Sequence, residues 1–157
     1  SLITLLKYII NRLAKPLSKE HLAKEDLVSI GIYLASQKNP ASGLSVLSHV
    51  IKNIDLPDHL HNSALTHLAS LLKKSGDYPK AVSLWKLLAS RGIIDSHTEL
   101  AMYYEHKCFD YQEAIHWTLS AAEALANESI SVIGDKTQKA LDHRLSRLKQ
   151  KISRLNQ

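Results

Sequence analysis

A tight turn at Gly76-Asp77-Tyr78 divides two stretches of helical periodicity, and no other feature constrains the fold of this chain as strongly. Leu65, Leu68, Ala69 and Leu72 precede the turn, and Ala81, Leu84, Trp85 and Leu88 follow it, at the spacings of three and four that give a helix one apolar face. Glycine at the turn supplies the left-handed backbone that ends one helix and lets the chain reverse. The expectation is a helical hairpin. A lone hairpin has too little surface to bury its own apolar faces, so it requires neighbours of the same kind.

The flanking sequence supplies them. Leu27, Val28, Ile30, Ile32 and Leu34 suit a helix closed by Asn39-Pro40, and Leu44, Leu47, Val50 and Ile51 suit its returning partner. Asp55-Leu56-Pro57-Asp58 breaks the chain again, with Pro57 and Asp58 fit to open the central hairpin. After Arg91-Gly92, Asp95 or Ser96 can cap a third pair. Leu100, Ala101, Tyr103 and Tyr104 line its first helix, Phe109-Asp110-Tyr111 form its turn, and Ala114, Trp117, Ala121 and Ala122 line the return. Trp85 and Trp117 lie on the apolar stripes and are expected between hairpins. A leucine-rich helix near residues 2 to 14, closed by Pro16, precedes the pairs, and a last helix follows Gly134-Asp135.

Composition agrees with this reading. The 157 residues are 45% hydrophobic and 22% charged, enough for one globular domain with a core. Five glycines, four prolines and short β-branched runs argue for an all-α class. Cys108 is the single cysteine, so stability comes from packing rather than a disulfide, in a reducing, cytoplasmic setting. The opening apolar run is interrupted by Lys7, Asn11 and Arg12, too short and too charged to span a membrane. The chain reads as a piece of a longer polypeptide.

The three turns are each followed by a small residue, Gly43, Ala81 and Ala114, at intervals of 38 and 33. A small residue where two helices cross, with an aromatic about four positions later, resembles the tetratricopeptide repeat family. The central repeat carries the likeness through Leu65, Leu68, Ala69, Leu72, Gly76, Asp77, Tyr78, Ala81 and Trp85. The third is similar to the Sel1-like variant through Leu100-Ala101-Met102-Tyr103-Tyr104 and Ala114-Ile115-His116-Trp117. The first keeps Leu27, Ile30, Gly31 and Leu34 without the aromatic. The resemblance implies a right-handed α-solenoid of about three hairpins over residues 17–130, between an N-terminal helix (1–16) and a basic C-terminal cap (131–157). It further implies a protein or peptide ligand on the concave wall of first helices, through His67, Lys73, Met102, Glu105 and His106. The lysine, asparagine and arginine set with which some members clamp a C-terminal carboxylate is replaced here by Val28, Ile32, His67, Asp95 and Glu99.

A second resemblance concerns the parent protein. The leucine-rich opening, the degenerate hairpins and the ending from Leu141 to Lys149 look like the region after the nuclease domain in bacterial ribonuclease-H-like exonucleases of the YprB type. That resemblance implies an accessory role without catalytic carboxylates.

The residues themselves point away from catalysis. His59 and His61 diverge on a helix, no HExxH occurs, and no cysteine pair completes a metal site. No glycine-rich phosphate loop or nucleophile elbow is present, so neither metal nor cofactor is expected. The net charge of +5 resides wholly in residues 135–157, with seven Lys/Arg against two Asp/Glu. There Leu141, Leu145, Leu148, Ile152 and Leu155 form a heptad seam. Beside it Arg144, Arg147, Lys151 and Arg154 form a ridge about 15 Å long at 1.5 Å per residue. The ridge reads either as a solvated flank or as a surface for nucleic acid phosphates.

Overall fold

The computed structural model describes residues 24–37, 41–127 and 132–155, and the expected helix near residues 2 to 14 lies outside them. Among the described residues the chain is all-helical, without strands. The helices are α1 (Lys24–Ser36), α2 (Ala41–Asn53), α3 (Asp58–Ser75), α4 (Tyr78–Ala89), α5 (Ile94–Tyr103), α6 (Tyr111–Asn127) and α7 (Val132–Leu155). A five-residue π-helical turn, Tyr104–Cys108, continues α5. Each helix packs on the next, and α1 also touches α3.

The turns follow from backbone hydrogen bonding. Gly76 takes φ +83°, its N–H donates to the Lys73 carbonyl at 3.1 Å, and the Asp77 N–H donates to the Leu72 carbonyl at 2.9 Å. This crossed pair satisfies the last carbonyls of α3 in the Schellman arrangement. Asp77 then opens α4, its carboxylate accepting from the Lys80 backbone N–H. Gly92, at φ +80°, repeats the device at the end of α4, with Gly92 donating to Ala89 and Ile93 to Leu88. Two expected boundaries differ. Helix α5 begins at Ile94 with Ile93 as its cap, so Asp95 and Ser96 sit inside its first turn. Gly134 and Asp135 lie within α7 rather than before it.

The core follows the predicted stripes. Leu47, Leu88, Leu100, Ala64, Ala69, Ala81 and Ala114 are completely buried, and Trp85 is buried among them. Trp117 is only half-buried, packing against that core while its Nε1 donates to Glu113 at 3.0 Å. The small residues earn their place by proximity: a methyl group on Gly43 would run into the backbone of Ala35. That contact sets the α1–α2 spacing. Gly43→Ala is expected to lower stability by about 1 to 3 kcal/mol, as overpacking does, measured by urea unfolding. An unchanged midpoint would show that α1 and α2 do not approach this closely in solution.

Candidate functional site

The site is built by the end of α5, where the helix widens. Counting from Ala69 to the turn glycine Gly76 gives seven residues, and from Ala101 to Phe109, which occupies the same place in the third pair, gives eight. The π-helical turn absorbs the extra residue. Its last bond spans one residue more accordingly, the Asp110 N–H reaching back six positions to the Tyr104 carbonyl at 2.9 Å, where Asp77 reaches back five to Leu72. Phe109 adopts the left-handed conformation at φ 56°, uncommon for a bulky residue, and stays largely exposed. π turns inside α-helices often sit at functional positions. Here the turn directs Glu105 inward and leaves His106 and Lys107 on the surface.

Glu105 is fully buried and met by the last helix. Its Oε1 accepts from Arg147 Nε at 3.2 Å and Lys151 Nζ at 2.7 Å, and its Oε2 from Arg144 Nη1 at 3.2 Å and Arg147 Nη2 at 2.8 Å. A carboxylate has about four lone-pair positions, and all are filled. His106 Nε2 lies 3.6 Å from Oε2. Burial alone would raise the Glu105 carboxyl, but the bonds from Arg147 and Lys151, with the charges of Arg147 and His106, outweigh it and hold the group down to about 2, against an ordinary 4.5.

Three of the four ridge cations are therefore turned onto a carboxylate of their own chain, and only Arg154 stands outside the cluster. Glu105, expected on an exposed binding wall, is a structural anchor instead. The helix seam is likewise uneven: Leu141 and Leu148 are buried, Leu145 and Ile152 half-buried, and Leu155 exposed.

On the other side of the π turn lies a cleft of about 160 Å³. Lys73 of α3 and Tyr78 and Trp85 of α4 form one wall; Glu99, Met102 and Tyr103 of α5, with His106 and Lys107, form the other. Tyr78 and Tyr103 stack with ring centres 5.6 Å apart. Lys73 Nζ donates to Glu99 at 2.6 Å and lies 5.9 Å above the Trp85 ring, and Lys107 lies 5.0 Å above Tyr78. Of the expected wall residues, Lys73, Met102 and His106 thus meet at one cleft. His67 is exposed on α3 and does not line the cleft.

Among the described residues no group of three His, Cys, Asp or Glu side chains converges as a metal-ligand set. His61 and Asn62 instead receive Arg91 Nη1, at 3.2 and 2.7 Å. His97, which periodicity did not single out, is buried against Trp117 with neither ring nitrogen hydrogen-bonded. Burial lowers its pKa, the nearby Ala89 backbone opposing and His116 adding to the fall. No helix among the described residues is long and apolar enough to cross a membrane.

The fold thus defines an all-helical protein of sequentially packed helices with an aromatic cleft beside a buried ion cluster. No protein-family model, characterised protein or solved structure matches the chain.

Acid unfolding should register both buried groups. His97 has a folded value below its unfolded 6.5, so its neutral form supports the fold above that pH and the support fades as pH falls below it. Glu105 contributes stability above 4.5 that is lost as pH falls toward 2, about 3 kcal/mol in all. Urea unfolding across pH is expected to show the second loss in the parent and not in Glu105→Ala. That variant, leaving three cations around a void, should cost about 3 to 5 kcal/mol at neutral pH. Changing Arg144, Arg147, Lys151 and Arg154 together to Gln should also destabilise α7, because three of the four are bonded to Glu105 rather than solvated along a free flank. Wild-type stability in both variants would mean that α7 is held by its leucines alone.

Proposed function

We propose that this chain is a non-catalytic interaction scaffold of the tetratricopeptide-like kind, a right-handed stack of about three hairpins that holds a protein or peptide segment. The observation that carries this reading is the cleft between the second and third pairs. Its volume of about 160 Å³ lies below the 300 to 1,000 Å³ of small-molecule sites and suits one inserted side chain. Aromatic walls supply contact area at low conformational cost, as interface anchors do. The aligned turns and the small residues at 43, 81 and 114 support the repeat reading.

An accessory role in nucleic acid handling beside a bacterial ribonuclease-H-like exonuclease has less support. Three of the four cations it would use are engaged by Glu105, and among the described residues of the last helix no aromatic accompanies them for base stacking.

The scaffold reading is tested by panning a displayed peptide library against the protein and remeasuring the selected peptides on Met102→Trp, which fills the cleft. Binding is expected to weaken by about tenfold or more, a loss of 1.4 kcal/mol, while the melting temperature holds. Peptides that bind the variant as well as the parent would place the site elsewhere.

A further inference from the structure

The charge around the cleft specifies what it accepts. Lys73 and Lys107 face it against the single carboxylate of Glu99. His106 lines the same cleft and touches the Glu105 cluster, where Arg144, Arg147 and Lys151 surround one carboxylate. At the cleft itself two permanent cations, Lys73 and Lys107, stand against one carboxylate, and on the far side of the π turn three more surround Glu105. Glu99 is paired with Lys73, which leaves the charge of Lys107 uncompensated by any carboxylate lining the cleft. The ring faces of Tyr78 and Trp85, which could otherwise attract a cationic ligand, already carry Lys107 and Lys73. A basic ligand meets repulsion here, and an acidic one does not.

Resting on the scaffold reading, we propose that the cleft selects an acidic peptide segment: an apolar side chain enters between the two walls to meet Met102, and a flanking Asp or Glu side chain lies against Lys107. Lys107 is the discriminating residue. It is exposed, makes no ion pair among the described residues, and lies over the Tyr78 ring. Lys73 is held to Glu99 and sets the polarity of the inner wall. A nucleic acid would bring the same negative charge, but Trp85 is buried and Tyr78 is covered by Lys107, so the cleft presents no open ring on which a base could stack.

The test uses two fluorescein-labelled peptide pools, each with Leu, Ile, Met or Phe at the centre, flanked by Glu in one and by Lys in the other. Anisotropy titration of the full chain is expected to give at least about tenfold tighter binding for the Glu pool, weakening as salt rises. Lys107→Glu should remove this preference and Lys107→Arg should keep it, both with unchanged circular dichroism. Equal binding of the two pools, still abolished by Met102→Trp, would overturn the acidic selectivity and leave the scaffold reading standing. Failure of both pools to bind would overturn the two together. Lys107-dependent binding of oligothymidine in place of either pool would overturn the peptide assignment.

Discussion

The buried carboxylate of Glu105 is the constraint on which the C-terminal half depends. An ionised group taken out of water is tolerated only when its charge and its lone pairs are met, and a missing partner costs several kcal/mol. Arg144, Arg147 and Lys151 meet it at successive turns of α7, so the helix is fixed both along its axis and about it. The leucine seam alone would not do this, because only Leu141 and Leu148 are buried and apolar contacts tolerate sliding. A charged cluster that selects one register over its neighbours is the best-attested use of buried ion pairs.

The same residue explains the cleft. One extra position between Ala101 and Phe109 is taken up by a π turn, and the turn sends Glu105 toward α7 while His106 and Lys107 face the second helical pair. Interior and surface chemistry are thereby divided within three consecutive residues. Phe109 closes the turn in a conformation that glycine adopts at 76 and 92, so the third pair tolerates local strain that the second does not.

The aromatic contacts tie these parts together. Tyr78 stacks on Tyr103, which meets Tyr104 edge-on with ring centres 5.3 Å apart. Lys86 lies over the Tyr104 ring. Across the cluster, Lys151 lies over Tyr111 at the start of α6 while its ammonium bonds Glu105. The lysine ammonium groups thus sit over the ring faces themselves, which is how a cleft with aromatic walls carries cationic charge.

Periodicity and turn chemistry were enough to read the helices from residue 24 onward, the left-handed glycine at 76 and the burial of Leu47, Ala81, Trp85, Leu100 and Ala114. These are local properties: side chains three and four apart share a face wherever the helix goes, and glycine alone enters the left-handed region freely. The fate of the charges was not local. From sequence, Glu105 belongs to an exposed wall and Arg144, Arg147 and Lys151 to a free ridge, about forty residues away. Only the approach of α7 to the π turn decides that they neutralise one another. The one-residue excess before Phe109 was visible in the aligned turns, but an extra residue can be absorbed by a longer loop or by a wider helix, and the chain's own spacing does not choose between them. Packing against α7 gives the wider turn its partners, because a carboxylate rotated inward there finds three cations waiting.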